Sequence, residues 1–447
     1  MAATTWRNWA GNQRSEPRTR ARPRDEAAVV ELVSAVARRG GRVRAVGAGH
    51  SFTGLVATED TLLDLAELSG VRAVDPVTGV ATIGAGTSLA AASAELARHG
   101  RALENLGDIA VQTLAGATAT ATHGTGARFG NLSSTIVGLR LVAGDGTLVE
   151  IDEDRDGDLL RAAKVHLGAL GVVTELRIRT VPAFNLEAHE AVLPVDEVLA
   201  DLDGLVDGHD HAEFFWFPGS DRADRPGGLA LVKRQRRSDA PRRPRGAVTA
   251  LVSDELIGNA LYGAIIRASD HLPGATRAIH AVLGVLPVTE HTERSDLVFA
   301  SPRRVRFVEM EQSVPREAFP EAFARIRRIF EQRGRPEPFP VECRWVAEDD
   351  ADLSPAHGGP RAYLAVHLTP RRHDPSFFAA VEAALAPLGA RPHWGKLHGR
   401  TAADLAASYP RWAAFQEARR HLDPHGTFAN DHLDRVLGPV PAPSVAP

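Results

Sequence analysis

From Asp25 to Arg39 the apolar positions Ala28, Val29, Leu32, Val33 and Val36 recur at helical spacing, which predicts a helix. It leads directly into a short strand through Val43 and Ala45. Further strands are predicted at Thr61 to Leu65 and Gly79 to Ile83, and an alanine-rich helix at Ser88 to His99. Val137 to Val142 and Leu148 to Ile151 read as a hairpin around Gly144-Asp145-Gly146, and Val172 to Val181 as another strand. Strands and helices are interleaved in an α+β pattern as far as Pro182.

Beyond Pro182 the composition changes. Leu186 to Val206 predicts the strand and helix that open a second domain, and Ala212 to Phe217 an aromatic strand. Leu251 to Arg267 and Ala275 to Leu286 read as helices; without a dense basic face, they are expected to pack on a core rather than a membrane. Arg306 to Glu311 alternates, placing Glu309 and Glu311 on one strand face with Phe307. Val341 to Trp345 alternates too, projecting Glu342 and Arg344 together on the face opposite Cys343. Ala362 to Leu368 is a strand of the same kind. A charged pair inside an apolar β-layer needs a partner or a polar ligand; the plain alternative is a surface salt bridge.

A chain of 447 residues is expected to form two or three domains. A hydrophobic content of 44% with 24% charged residues is that of a soluble globular protein, and a net charge of −4 argues against a general nucleic-acid binder. The single cysteine, Cys343, excludes an intramolecular disulfide and a cysteine-rich metal site, and no metal site is expected. Met1 to Gln13 holds two tryptophans and no apolar h-region, and no run approaches the ~20 apolar residues that span a bilayer. The expectation is a soluble cytoplasmic protein, with peripheral membrane association left open and oligomeric state undetermined. Lys233 to Arg245 carries seven basic residues, two prolines and one acid. Without interleaved aromatics it reads as a solvated, mobile loop rather than a nucleic-acid or lipid patch. Only Lys164, Lys233 and Lys396 are lysines against 49 arginines. An ammonium retained in so arginine-rich a chain is informative, because the two cations are not interchangeable.

Two glycine-rich stretches carry the candidate chemistry. In Val46-Gly47-Ala48-Gly49-His50-Ser51-Phe52, two glycines that tolerate positive φ follow a strand and let backbone N–H groups crowd a ligand. Alone, this is equally a tight strand-ending turn. The second, Asn105 to Gly126, is almost devoid of large side chains between Ala115 and Gly126. Read as an extended segment, it points the hydroxyls of Thr118, Thr120 and Thr122 to one face. Such a surface suits a pyrophosphate and a ribityl chain; the alternative is a buried strand under a helix.

Together the two stretches resemble the flavin domain of the vanillyl-alcohol-oxidase superfamily, as does His166-Leu167-Gly168-Ala169-Leu170-Gly171-Val172-Val173, similar to that family's last flavin-contacting turn. The dinucleotide fingerprint of doubly wound sheets is absent, as this resemblance requires. Arg391-Pro392-His393-Trp394-Gly395-Lys396 resembles the His-Trp-Gly-Lys signature of the sugar-1,4-lactone oxidase and alditol oxidase branch. Trp6-Arg7-Asn8-Trp9 and the tail from Tyr409 through Asp423-Pro424 to Asn430 fit the same branch. The weakly matching part is 220–300.

The resemblance implies an α+β, two-domain architecture: a PCMH-type FAD-binding domain over 1–182 and a substrate or cap domain over 183–395. The cap is an antiparallel sheet covered by helices, and 396–447 returns to the first domain. It implies FAD, covalently held by His50, its diphosphate against Val46 to Phe52. Gly107, Asp108, Thr113, Gly116 and the Thr120-Ala121-Thr122-His123 turn would line the cofactor, with Val172 near the adenine end and His393 a flavin contact. Glu309, Glu311, Glu342, Arg344 and Lys396 would hold the substrate, the last three acting in catalysis. Some members carry glutamine at the position matching Glu309.

The implied reaction is hydride transfer to the flavin from C2 of an L-gulono- or D-arabinono-1,4-lactone. Lys396 and Arg344 would polarise the substrate hydroxyl, and Lys396, if flanked by Arg344, is expected to have a lowered pKa and accept its proton. The same scaffold serves alditol oxidases acting on xylitol or sorbitol; a flavoprotein that binds without turnover, or a partner protein acting through the basic loop, is the reading from another class. Electrons would pass to O2 or another acceptor. Dehydrogenase members can have alanine at the position of Gly107, so the glycine favours oxygen access.

Overall fold

In the computed structural model, residues 5–440 are described apart from 224, 226, 245–261, 270, 271, 285, 302 and 303. The first helix, α1 (Glu26–Arg38), begins where the Asp25 side chain accepts the N–H of Ala28 at 2.8 Å, and it buries Val29, Val33 and Val36. It packs beside a small parallel sheet in the order β1-β3-β2, made of β1 (Thr19–Ala21), β2 (Val43–Val46) and β3 (Thr61–Asp64).

A five-stranded antiparallel sheet follows, formed by β4 (Val71–Val74), β5 (Val80–Gly84), β6 (Ile136–Val142), β7 (Leu148–Asp152) and β8 (Val172–Arg179) in the order β7-β6-β8-β5-β4. The predicted hairpin is β6–β7, closed where Gly146 at φ 92° donates its N–H to Ala143. Between these strands run α2 (Leu89–Arg98), capped by Ser88 on Ala91 N–H at 3.1 Å, α3 (Leu114–Thr118) and α4 (Glu153–Lys164).

Two short ribbons pair Trp6–Arg7 with Arg14–Ser15 and Arg101–Ala102 with Val181–Pro182, and eight further strands form one antiparallel sheet. They are β9 (Asn185–Pro194), β10 (His211–Phe217), β11 (Leu229–Ser238), β12 (Thr289–Arg294), β13 (Val308–Pro315), β14 (Val341–Val346), β15 (Arg361–Leu368) and β16 (Arg391–Pro392). Their order is β12-β9-β11-β10-β14-β15-β13-β16. Strand alternation splits this sheet into two chemically different faces. Val308, Met310, Val314, Phe214, Trp216, Cys343 and Val366 share a core with Phe319 and Phe323 of α5 (Phe319–Arg333) and Phe377 of α6 (Pro375–Leu385). The intervening residues Glu213, Glu309, Glu311, Glu342 and Arg344 occupy the opposite face.

After β16 the chain returns to the first core. Phe415 and Leu422 of α7 (Trp412–Leu422) and Leu433 and Val436 of α8 (Asp431–Leu437) are buried with the apolar residues of α1, α2 and the five-stranded sheet. The Thr427 carbonyl accepts the N–H of Val43 at 2.8 Å, stitching the tail to the start of β2. Among the described residues no helix is long and apolar enough to cross a membrane.

Two expectations fail. Lys233 to Ser238 is not a loop: it completes β11, laddered to β9 on one side and β10 on the other. In this strand Gln235 is buried, Arg236 donates to the Gly208 carbonyl at 2.8 Å, and the Arg237 guanidinium stands 4.3 Å over the Phe184 ring. Arg243 then pairs with Thr292, and 245 falls outside the described residues. Thr118, Thr120 and Thr122 do not share an extended face. Small residues let Leu114–Thr118 wind into a helical turn, in which Thr118 Oγ1 donates to Leu114 O at 3.0 Å and Thr120 Oγ1 to Gly116 O at 3.3 Å. The helix expected from Leu251 to Arg267 lies largely outside the described residues, which show Tyr262–Ser269 and Pro273–Leu283 as helices.

Candidate active site

A cavity of about 300 Å³ opens where β2 ends. Val46, Gly47, Ala48, Gly49, His50 and Ser51 form one wall. Thr113, Gly116 and Thr120 at α3 form a second, and His166, Leu167, Gly168, Gly171 and Val173 a third. Glycine at 47 is required by close approach, since a Cβ there would stand 2.1 Å from Thr113 Oγ1. Gly49 takes φ 68°. Among the described residues no protein acceptor is found for the N–H groups of Ala48, Gly49, His50 and Ser51. Unsatisfied N–H groups at a glycine turn, in a slot lined by small side chains, fit a dinucleotide with its pyrophosphate on the turn.

Other predicted cofactor residues lie outside this lining. Val172 points into the core, and its neighbours Gly171 and Val173 line the cavity instead, as strand alternation requires. Phe52 is buried against Phe307, and its N–H donates to Gly395 O at 2.7 Å, tying the glycine turn to the segment that carries Lys396. Ala121 is a non-glycine residue at φ 57°, which turns the chain from Thr120 towards Thr122 and His123. A Cβ on Gly107 would stand 3.0 Å from the His123 carbonyl. The missing methyl on that side relieves a close contact with backbone.

His123, Glu311 and His393 meet between the cavity and the polar sheet face. His123 Nε2 lies 3.4 Å from Glu311, and its ring packs on Tyr363 at 3.9 Å between centroids. His393 Nδ1 accepts the N–H of Gly395 at 3.0 Å, and burial with the nearby Lys396 charge holds its pKa down at about 3. One ligand-capable atom of each residue lies within 4.8 Å of the others. That spacing would admit a divalent cation, but Glu311 already has His123 as its partner.

Arg344 is the centre of the polar face. It meets Glu342 at 2.5 Å, Glu213 at 2.7 Å and Asp108 at 2.8 Å. Asp108, expected against the cofactor, instead closes this ion cluster from the first domain's side. Glu213 is further held by Lys233 at 3.2 Å. Three carboxylates around one guanidinium are hard to keep ionised together. Burial pushes Glu342 up to about 7, against the pull of Arg344 and with the help of Asp108 and Glu213.

Lys396 lies apart from Arg344 and pairs with Glu309, which His367 also holds at 3.5 Å. Burial alone would lower the ammonium pKa, but Glu309 and Glu311 outweigh it and raise it. The expected lowered, proton-accepting lysine is therefore replaced by a fixed cation, because its neighbours are carboxylates. Its Nζ stands 5.4 Å over the Phe52 ring. His50, stacked on Trp9 at 5.1 Å, is held neutral by burial and by the Lys396 charge, with a pKa of about 4.

Three side chains that pair with these charges were not expected at the site from the sequence: Glu213, Lys233 and His367. Each had a signal. Glu213 is the lone acid in an aromatic strand, His367 the lone polar residue of Ala362 to Leu368 apart from Tyr363, and Lys233 one of only three lysines.

A family model described as D-arabinono-1,4-lactone oxidase matches residues 176–436, and one described as FAD binding domain matches residues 17–152. The chain is 41% identical over 435 residues to an L-gulono-1,4-lactone dehydrogenase of Mycobacterium tuberculosis, covering 97% of this chain and 99% of the relative. It is 28% identical to the mouse L-gulonolactone oxidase, covering 97% and 98%. A cholesterol oxidase from B. sterolicum superposes with a TM-score of 0.79 at 19% identity, covering 97% of this chain and 96% of that one, which shows the fold. With the matched regions spanning both core and polar sheet, the chain belongs to the D-arabinono-1,4-lactone oxidase family and carries its FAD-binding domain.

Proposed function

We propose that the protein oxidises a sugar 1,4-lactone of the L-gulono or D-arabinono type at C2. FAD, when bound, supplies the hydride acceptor. The observation that carries this reading is convergence: Lys396, paired with Glu309, and Arg344, paired with Glu342, stand on one polar face beside the His50 end of the cavity. The near-complete alignment with an L-gulono-1,4-lactone dehydrogenase supports it.

In this reading the Lys396 ammonium donates to the C2 hydroxyl and stabilises negative charge developing there. Glu342, poised between its two protonation states near neutrality, takes the hydroxyl proton. Arg344 orients the ring oxygens with Glu342, while Glu309 and Glu311 hold the lysine as a cation. The cavity walls at 46–51, 113–120 and 166–173 would hold the dinucleotide, with His50 as the residue to carry it covalently and His123 and His393 as its neighbours. The domains are 1–182 for cofactor, 183–395 for substrate, and 396–447 returning to the first.

The test is anaerobic mixing of purified protein with L-gulono-1,4-lactone, D-arabinono-1,4-lactone and xylitol, following flavin absorbance. Bleaching by a lactone supports the reading, and bleaching by xylitol alone replaces it with an alditol oxidase. Colour restored by air identifies O2 as acceptor; colour restored only by a dye or cytochrome identifies a dehydrogenase. A yellow protein indifferent to all three overturns the function and leaves the fold.

A further inference from the structure

One cation in the cavity wall is used by none of the chemistry above. Arg44, in β2, is 2% exposed, and among the described residues its hydrogen bonds all go to carbonyl oxygens. It donates to Leu55 O at 2.7 Å, Leu167 O at 2.9 Å, Gly168 O at 2.7 Å and Phe428 O at 2.6 Å. Among the described residues no carboxylate lies within ion-pair distance of it. A buried guanidinium satisfied only by dipoles still carries its full charge, and burying an unpaired charge is costly.

The surroundings do not cancel that charge. The influential carboxylate is Asp423, buried and already accepting the N–H groups of Thr427 at 2.7 Å and Phe428 at 2.9 Å. Arg419, 1% exposed, adds a second guanidinium near the same carboxylate. His166 and His432 are held neutral by burial, with positive charge from Arg44 acting on both. Arg435 acts on His432 and Asp434 on Arg419, so that three guanidinium groups (Arg44, Arg419 and Arg435) and two carboxylates (Asp423 and Asp434) leave one positive charge around this wall of the cavity. On the cavity side, Asp64 is engaged by Arg22 at 2.6 Å. The group expected on that turn is a doubly negative pyrophosphate.

We propose that Arg44, backed by Arg419, is the buried charge that retains the pyrophosphate of the cofactor, and that it does so while tying two lining segments of the cavity to the C-terminal segment. Its bonds to Leu55, to the Leu167–Gly168 turn and to Phe428 of the C-terminal segment bring those segments to one atom cluster. Cofactor retention and docking of the C-terminal segment thus share a residue. The inference rests on the FAD reading and names a determinant within it.

The experiment uses full-length protein with His50→Ala, so that binding is reversible. Dissociation constants for FAD, ADP and riboflavin are measured by flavin fluorescence and calorimetry, alone and with Arg44→Met, Arg44→Lys or Arg419→Leu. The expected result is that Arg44→Met weakens FAD and ADP at least about tenfold and riboflavin by less than about twofold, with Arg44→Lys between. Arg419→Leu, which leaves every bond of Arg44 in place, should shift FAD and ADP in the same direction. Equal weakening of FAD and riboflavin would reduce Arg44 to a structural bolt and overturn the proposal. So would a folded Arg419→Leu protein with unchanged FAD and ADP binding, the decisive arm if Arg44→Met does not fold. No FAD binding with Arg44 intact would sink the cofactor reading as well; FAD binding indifferent to Arg44 would sink this role alone.

Discussion

His367 stands directly across from Glu309 in the β13–β15 ladder, its Nε2 3.5 Å from the carboxylate that also holds Lys396. The carboxylate is shared between an imidazole and an ammonium, and burial keeps water from screening either. Burial would lower His367, but Glu309 and Glu342 outweigh it and raise it. A histidine with a raised folded pKa stabilises fully below its unfolded value of about 6.5 and loses that contribution as pH rises through the folded value. Replacing His367 with Asn should therefore flatten the fall of Tm on the alkaline side of pH 6.5, measured by thermal melts across pH. An unchanged slope would mean that the pair contributes nothing.

Lys396, held as a cation by Glu309, cannot be the group whose deprotonation controls rate near neutrality. Lys396→Met should lower kcat/KM about 10²–10³-fold, the range for losing one transition-state donor, across the whole pH range tested. If instead the loss vanished at high pH, where a free-base lysine would act, the fixed-cation role would be wrong.

Glu342 is the group expected to shape the pH profile. Its folded pKa, raised by burial to about 7, lies above the usual carboxyl value. Between the two values the folded state binds more protons than the unfolded one, so stability falls as pH rises towards 7 and is level beyond it. Activity should run the opposite way: kcat/KM rises through about pH 7 as the carboxylate becomes available to take a proton. Glu342→Gln should abolish both trends together. A profile that keeps its inflection in that variant would assign it elsewhere.

Much of this was legible because strands expose their logic in alternate residues. Glu309 with Glu311, and Glu342 with Arg344, were placed on common faces by period alone, and the sheet bears this out. The partners were not legible, because Glu213, Asp108 and His367 come from strands and loops far off in sequence, and one sequence shows no register between strands. For the same reason the sequence leaves the neighbour of Lys396 open, and only the structure shows it to be Glu309. The glycine turn was visible from residue type; the threonine run was misjudged because small residues permit a helical turn as readily as an extended segment.

Gly47 gives a test of close approach free of backbone strain. A Cβ there overlaps Thr113 Oγ1 at 2.1 Å, with Thr113 Cβ and Cγ2 each at 3.2 Å. Gly47→Ala should destabilise by about 1–3 kcal/mol, as overpacking does, and should weaken FAD binding. Adding Thr113→Ala removes the overlapping oxygen and should recover most of that loss, despite forfeiting the cap that Thr113 Oγ1 makes to Gly116 N–H at 3.3 Å. Melting curves and FAD titrations of both variants decide it: a double variant no better than the single one would place the constraint in the turn itself.

The covalent attachment proposed for His50 has a pH signature. A nucleophilic imidazole must be neutral, and burial together with the Lys396 ammonium holds this one at about 4. Attachment should therefore proceed undiminished down to about pH 5, where an ordinary histidine of pKa about 6.5 would be mostly protonated. Acid-precipitated wild-type protein should keep its yellow colour in the pellet, and His50→Ala should release it to the supernatant. Lys396→Met removes the charge that helps keep the imidazole neutral, so reconstitution of that variant with FAD should lose covalent yield at low pH first. Yellow colour released from wild-type protein would show the flavin to be held by the cavity alone, with His50 serving as a stacked wall residue beside Trp9.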